Sequence, residues 1–214
     1  MIRTLERKPL EPSTGKAPLL VFLHGFGSNE ADLFGLAEAF DPRFHVLSLR
    51  APMTLSPQSF AWFMVDFTPE GPQHDEAAAT KSLGLLVEFL ETARKTLPIE
   101  ASQVYLVGFS QGAILATSVL LTRPDLVAGV VAWSGRTLPE VVPTAPGPAA
   151  LADKPILVVH GTEDRTLPIH HGRATREALA KLPVELTYQE FAMGHEVTDE
   201  SLEFTRDWMN SRVK

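Results

Sequence analysis

A serine between two glycines, followed far along the chain by an aspartate and a histidine, is the set of residues that could do chemistry in this sequence. The segment GFSQG (108–112) stands between two apolar runs, 104–107 and 113–121. A buried strand that turns sharply into a buried helix lifts the Ser110 hydroxyl clear of a sheet, at a helix N-terminus that favours negative charge. The pattern predicts a nucleophilic serine, and a glycine-rich turn with a capping serine is the alternative.

A serine hydroxyl needs a general base, and the base needs an acid that orients it. After a strand-turn-helix serine of this kind, the order along the chain is acid and then histidine. Asp164 lies in HGTEDRTLP (160–168), with Glu163 as the competing acid and a helix cap as the alternative role of Asp164. His195 precedes the last predicted helix, whereas the other histidines lie before the serine, at a strand end or at a helix start. The alternative for His195 is a surface histidine.

Acyl transfer also needs hydrogen-bond donors for the oxyanion that develops on the carbonyl. One predicted donor is the backbone N–H of Gln111, the residue after the serine. The other is the backbone N–H of Phe26, in the glycine-rich loop HGFGS (24–28). Taken alone, this loop is equally typical of a tight turn. The predicted catalytic residues are therefore Ser110, Asp164 and His195, with Phe26 and Gln111 forming the oxyanion hole.

The elements that must position these residues alternate between short apolar runs and longer helical patterns. Strands are predicted at 19–23, 45–49, 104–108, 128–133, 156–160 and 185–191, with an antiparallel edge strand within 4–10. Helices are predicted at 30–40, 75–97, 111–122, 170–182 and 198–212. Two segments, 50–71 and 136–153, are predicted as irregular loops. The alternation predicts βαβ units and a mainly parallel central sheet flanked by helices.

The composition limits the class of protein. The chain has 214 residues, 44% hydrophobic and 21% charged, which fits a single globular domain over 1–214. A net charge of −7 argues against a nucleic-acid partner, and the absence of cysteine excludes disulfides, thiolate metal sites and a cysteine nucleophile. No apolar stretch reaches the ~18 residues of a membrane span, and the N-terminus lacks the apolar segment of a signal peptide. We therefore expect a cytoplasmic protein without stable membrane insertion.

With these residues identified, the sequence resembles the phospholipase/carboxylesterase family of α/β-hydrolases, relatives of the acyl-protein thioesterases. The resemblance rests on five segments that occur in family order between residues 19 and 197: LVFLHGFGSNEADL, LRAPM…FAWF, VYLVGFSQGAILA, ILVVHGTEDRTLPI and FAMGHEV. It implies an α/β-hydrolase fold without a large cap domain. It also implies hydrolysis of carboxylic esters or thioesters by Ser110, Asp164 and His195, without a metal or organic cofactor.

The resemblance places the loop 50–71 beside the acyl site, which makes Trp62 and Phe63 candidate substrate-binding residues, with core packing as the alternative. In the thioesterase branch, Trp-Phe is commonly followed by Asp, whereas here Met64 and Val65 precede Asp66. This departure favours the bacterial carboxylesterase branch over the thioesterase branch.

We therefore expect a serine carboxylesterase that acts on small-molecule esters with short to medium acyl chains. Acyl-protein thioesterase or lysophospholipase activity is one alternative, and a non-catalytic ligand-binding protein on the same fold is another. Dienelactone hydrolysis is disfavoured because relatives with that activity use a cysteine nucleophile. The sequence identifies neither the physiological ester nor the oligomeric state, and a homodimer is one alternative for the latter.

Overall fold

A seven-stranded sheet forms the centre of the protein. The structure is a computed structural model and describes residues 2–13, 15–68 and 71–213. The seven strands are β1 (Thr4–Arg7), β2 (Ala17–Leu23), β3 (His45–Leu49), β8 (Ile99–Phe109), β9 (Gly129–Trp133), β10 (Pro155–Gly161) and β11 (Glu185–Phe191). Across the sheet they lie in the order β1-β3-β2-β8-β9-β10-β11. Strand β1 pairs antiparallel with β3, and every other pairing in this sheet is parallel. The carboxyl ends of β2, β8, β10 and β11 therefore meet at one edge.

Helices cover both faces of the sheet. They are α1 (Glu30–Phe34), α2 (Glu76–Thr96), α3 (Gln111–Thr122), α4 (Pro148–Leu151), α5 (Ile169–Leu179) and α6 (Asp199–Asn210). Buried side chains of α2, α3 and α5 pack on one face, and those of α1 and α6 pack on the other. Successive residues of β8 alternate between the two cores, with Leu106 in the first and Val107 in the second. Burial on both faces explains why the central part of β8, residues 104–108, is a continuous apolar run.

The predicted sheet and flanking helices are confirmed, with small differences at the ends. The strands at 45–49 and 185–191 and the helix at 111–122 have the predicted bounds. The antiparallel edge strand is present and ends at Arg7. The predicted helix 30–40 is instead the short α1 followed by a 3₁₀ segment, Gly35–Ala39. No large cap domain is present in the described ranges, and a single domain over 1–214 stays a prediction.

The prediction of irregular structure over 50–71 is wrong. That segment forms the hairpin β4 (Met53–Ser56) and β5 (Ser59–Ala61), and it begins the hairpin β6 (Val65–Thr68) and β7 (Gly71–His74), while residues 69 and 70 lie outside the described part. These strands are too short for an alternating pattern to stand out. The other predicted loop, 136–153, contains one 3₁₀ segment, Val142–Thr144, and α4.

The described part of the chain contains no helix with the length and apolar composition that crossing a bilayer requires.

Candidate active site

Ser110 lies on a strained turn between β8 and α3. Its backbone has φ 53° and ψ −112°, a conformation that costs a non-glycine residue about 1–3 kcal/mol. The turn is held by a hydrogen bond of 2.8 Å from the Ser110 N–H to the Trp133 carbonyl. A Cβ at Gly108 would overlap the backbone of Gly112, and a Cβ at Gly112 would overlap the carbonyl of Leu23. The two glycines are therefore required by the close approach of strand and helix.

Asp164 and His195 lie on two loops that are fastened to each other by their backbones. Asp164 follows β10, and His195 follows β11. The Thr162 N–H donates to the Phe191 carbonyl at 2.8 Å, and the Glu163 N–H donates to the Met193 carbonyl at 3.1 Å. These bonds fix the loop of the carboxylate against the loop of the imidazole. The side chain of Glu163, the competing acid, is exposed to solvent.

The three side chains form one hydrogen-bonded chain. His195 Nδ1 lies 2.7 Å from Asp164 Oδ2, and His195 Nε2 lies 2.9 Å from Ser110 Oγ. Because an ionised carboxylate can only accept, the proton of a neutral imidazole is on Nδ1. The lone pair of Nε2 then faces the serine and can accept the hydroxyl proton. The His195 ring also packs against Phe109, with ring centroids 4.9 Å apart.

Asp164 is buried and has its acceptor sites occupied. Its Oδ1 accepts from the backbone N–H groups of Thr166 at 2.9 Å and Leu167 at 2.7 Å, while Oδ2 faces His195. Burial alone would raise the pKa of Asp164, but the hydrogen bonds from His195 and Leu167 outweigh it and lower the pKa below its usual value. The carboxylate thus stays ionised beside the imidazole. Its Oδ1 bonds lie within the turn before α5 and do not make it the helix cap of the alternative, because the N-cap residue of α5 is Pro168.

Two further histidines lie near Asp164. His160 Nε2 donates to the Leu167 carbonyl at 2.7 Å and is 3.6 Å from Asp164 Oδ2. His171, in the first turn of α5, has its pKa lowered to about 4, mainly by desolvation and then by the nearby charges of His170 and Arg136. Within residues 2–13, 15–68 and 71–213, no three His, Asp or Glu side chains converge in a way that would hold a metal ion.

The two segments that carry the predicted oxyanion donors lie beside Ser110. Gln111 is the first residue of α3, so its N–H belongs to a helix N-terminus and has no carbonyl of a preceding turn to bind. A Cβ on Gly25, the neighbour of Phe26, would lie only 3.3 Å from Ser110 Cβ, which places the loop after β2 directly against the turn at Ser110. Among the described residues, neither the Phe26 N–H nor the Gln111 N–H donates to a protein acceptor.

The candidate substrate-binding residues Trp62 and Phe63 lie inside the core. Both side chains are 0% exposed, so neither presents surface to a ligand in this structure, and the burial favours the core-packing alternative. The next residue, Met64, is 44% exposed, and Met64 and Leu10 are the large hydrophobic residues exposed in the described ranges. Trp62 and Phe63 lie close to the site through their backbones, which bind the Gln111 side chain.

A model of the phospholipase/carboxylesterase family matches residues 10–212. The chain belongs to this family. The resemblance drawn from the sequence is thereby confirmed, and so are the α/β-hydrolase fold and the assignment to a family of carboxylesterase enzymes.

Individual esterases and thioesterases are also similar to this chain over most of its length. Esterase YpfH of Escherichia coli strain K12 is 29% identical over 212 residues, covering 94% of this chain and 86% of YpfH. Acyl-protein thioesterase 1 of Schizosaccharomyces pombe is 27% identical over 167 residues, covering 74% of each chain. The crystal structure of the Bacillus cereus carboxylesterase superimposes with a TM-score of 0.81 at 25% identity, covering 99% of this chain and 95% of the other.

In this phospholipase/carboxylesterase family member, the sequence did not indicate that the side chains of His24 and Gln111 bind backbone groups of distant segments. His24 is buried, and the Gln111 side chain is 3% exposed and bound to two backbone groups about 50 residues away in sequence. The signal in the sequence for the Gln111 contact is a glutamine in an otherwise apolar stretch. A buried amide needs hydrogen-bond partners, but the sequence does not identify which residues provide them.

Proposed function

We propose that this protein is a serine carboxylesterase that hydrolyses small-molecule esters with short to medium acyl chains. The observation that carries the proposal is the hydrogen-bonded chain from Asp164 Oδ2 through His195 to Ser110 Oγ, with distances of 2.7 Å and 2.9 Å. This geometry suits a nucleophile, a general base and an orienting carboxylate. Membership of the phospholipase/carboxylesterase family supports the same reaction class.

In the proposed mechanism, His195 Nε2 takes the hydroxyl proton as Ser110 Oγ attacks the ester carbonyl. The carbonyl oxygen becomes an oxyanion and accepts hydrogen bonds from the N–H groups of Phe26 and Gln111. Asp164 stabilises the imidazolium that forms. The imidazolium then protonates the leaving alcohol, and an acyl-enzyme on Ser110 remains. Water, deprotonated by His195, attacks this acyl group, and the acid departs as the serine recovers its proton.

The proposal also specifies the class of substrate, which is a small-molecule ester with a short to medium acyl chain. The short chain and the lack of a cap domain in the described ranges favour an open site, and therefore short to medium acyl groups. Thioester hydrolysis is the second candidate, since one relative is an acyl-protein thioesterase 1 that matches 74% of this chain. A small-molecule ester as the partner, a homodimer and a cytoplasmic location stay predictions.

The test is the initial rate of hydrolysis of p-nitrophenyl esters from acetate to dodecanoate, with matched thioesters alongside. We expect Ser110→Ala to lower kcat by about 10⁴–10⁶-fold. The matched control is Ser118→Ala, because Ser118 lies in α3 and its hydroxyl donates to the Ile114 carbonyl, away from the triad. Rates that persist in Ser110→Ala would refute the nucleophile. Wild-type rates no higher than those of Ser110→Ala on every ester and thioester would favour a ligand-binding protein.

A further inference from the structure

The side chain of Gln111 binds the backbone of a distant segment. Its Oε1 accepts from the Trp62 N–H at 2.7 Å, and its Nε2 donates to the Phe63 carbonyl at 2.7 Å. One buried amide group thus satisfies two consecutive residues of the chain, as the backbone of a neighbouring strand would. The side chain of residue 111 is therefore fixed at both ends, and the start of α3, which carries the Gln111 N–H, is tied to residues 62 and 63.

The indole of Trp62 continues this connection to the loop after β2. Its Nε1–H donates to the His24 carbonyl at 3.0 Å, and the Trp62 side chain is fully buried. The His24 ring then holds its own loop. Its Nδ1 lies 2.7 Å from the Gly25 carbonyl and its Nε2 accepts from the Ala51 N–H at 3.1 Å. The carbonyl can only accept, so the proton is on Nδ1 and the imidazole is neutral.

We propose that Trp62 and the Gln111 side chain form a bracket that sets the distance between the two N–H donors of the oxyanion hole. One end of the bracket is residue 111, whose N–H is the first donor. The other end is His24, two residues before Phe26, whose N–H is the second donor. The proposal rests on the proposed function, because the two donors matter only if Ser110 attacks a carbonyl. Trp62 thereby acts as a positioning residue and not as a substrate contact.

The bracket acts on the transition state and leaves substrate binding largely unchanged. An oxyanion exists only after the serine has attacked, so donor placement affects the tetrahedral intermediate more than the bound ester. Complete removal of one oxyanion donor costs about 10²–10³-fold in kcat, and a misplaced donor costs less. We therefore expect about a 10–100-fold fall in kcat when the bracket is broken, with KM changed by less than about threefold.

The experiment compares Trp62→Phe with Trp208→Phe. The first substitution keeps an aromatic ring and removes the N–H that binds His24. The second removes an N–H that donates to Thr187 Oγ1 at 3.0 Å, near the end of α6 and away from the site. In each variant, kcat, KM and the inhibition constant of an aryl trifluoromethyl ketone are measured, since this ketone forms a tetrahedral oxyanion adduct with an active serine. For Trp62→Phe, we expect the inhibition constant to rise by the same factor as kcat falls. Trp208→Phe is expected to change neither.

The outcomes separate this inference from the proposed function. If Trp62→Phe keeps the wild-type kcat and inhibition constant while Ser110→Ala is inactive, the bracket is refuted and the esterase stands. If no ester is hydrolysed in a Ser110-dependent way, the proposed function fails first. If Trp62→Phe does not fold, Gln111→Met decides, because it removes both hydrogen bonds of the side-chain amide while the backbone N–H is kept. An unchanged kcat in Gln111→Met would overturn the bracket, and a fall in kcat at constant KM supports it.

Discussion

Replacing Asp164 by asparagine tests how strictly the site depends on the orientation of His195. Two backbone N–H groups, of Thr166 and Leu167, point at Oδ1, so the asparagine oxygen must occupy that position. The amide NH₂ group then faces His195 Nδ1, which can only accept from it. The ring proton then lies on Nε2 and points at Ser110. In this tautomer Nε2 has no free lone pair, so it cannot accept the hydroxyl proton.

The size of the loss follows from the cost of the opposite amide orientation. Turning the amide oxygen toward His195 would leave both backbone N–H groups opposite an NH₂ group. At about 1–3 kcal/mol for each unsatisfied donor, this orientation is disfavoured by about 2–6 kcal/mol. Because 1.4 kcal/mol is about tenfold, the productive fraction of molecules falls roughly 30- to 20,000-fold. We expect kcat to fall within this range.

The assay is the kcat for p-nitrophenyl butyrate, together with the thermal midpoint of unfolding. Asp75→Asn is the matched control, because Asp75 Oδ1 also accepts from two backbone N–H groups, those of Ala77 and Ala78, at the start of α2. We expect this control to keep the wild-type kcat. A loss of less than tenfold in Asp164→Asn, with the fold intact, would refute the argument that the carboxylate fixes the imidazole proton.

Two further predictions concern stability. We expect Gly112→Ala to lower the free energy of unfolding by at least about 3 kcal/mol in urea titrations, because its Cβ would overlap the Leu23 carbonyl. The control is Gly84→Ala, on the exposed side of α2 with open space around it, which should raise the free energy of unfolding by about 0.5–1 kcal/mol. Equal effects of the two substitutions would contradict the packing argument. The pKa of His171 is lowered to about 4, so the unfolded chain, with an ordinary histidine pKa of about 6.5, binds a proton that the folded protein does not. The contribution of His171 to stability is therefore present above about pH 6.5 and is lost as the pH falls to about 4. We expect His171→Gln to make the decline in unfolding free energy over this pH range shallower. A decline as steep as in the wild type would show that His171 is not its source.

The parts of the fold and site that could be predicted are those with a local physical signature. The turn at Ser110 needs glycines at 108 and 112 because strand and helix backbones nearly touch there. The turn can therefore be recognised from the sequence. The strands β2, β9 and β10 are buried on both faces and appear as continuous apolar runs. The position of Asp164 and His195 after consecutive parallel strands brings them to one edge of the sheet, which topology alone predicts.

What could not be predicted depends on contacts between segments far apart in the chain. The resemblance placed Trp62 and Phe63 near the acyl site, but proximity along a loop does not reveal whether a side chain faces the ligand or the core. Their orientation is set by hydrogen bonds to Gln111 and to His24, 49 and 38 residues away. The two hairpins between 53 and 74 were missed for a related reason, since strands of three or four residues carry too little pattern.

The wide spacing of the three catalytic candidates along the chain has a consequence for folding. Ser110 and His195 are 85 residues apart, and their contact forms only when β8, β9, β10 and β11 are paired in the sheet. Parallel strands cannot pair through a tight turn, so each step in this alignment requires a long crossover and the loop entropy that goes with it. We therefore expect the serine and its base to meet only after these four strands have paired, so that the active geometry forms later than any one of these pairings.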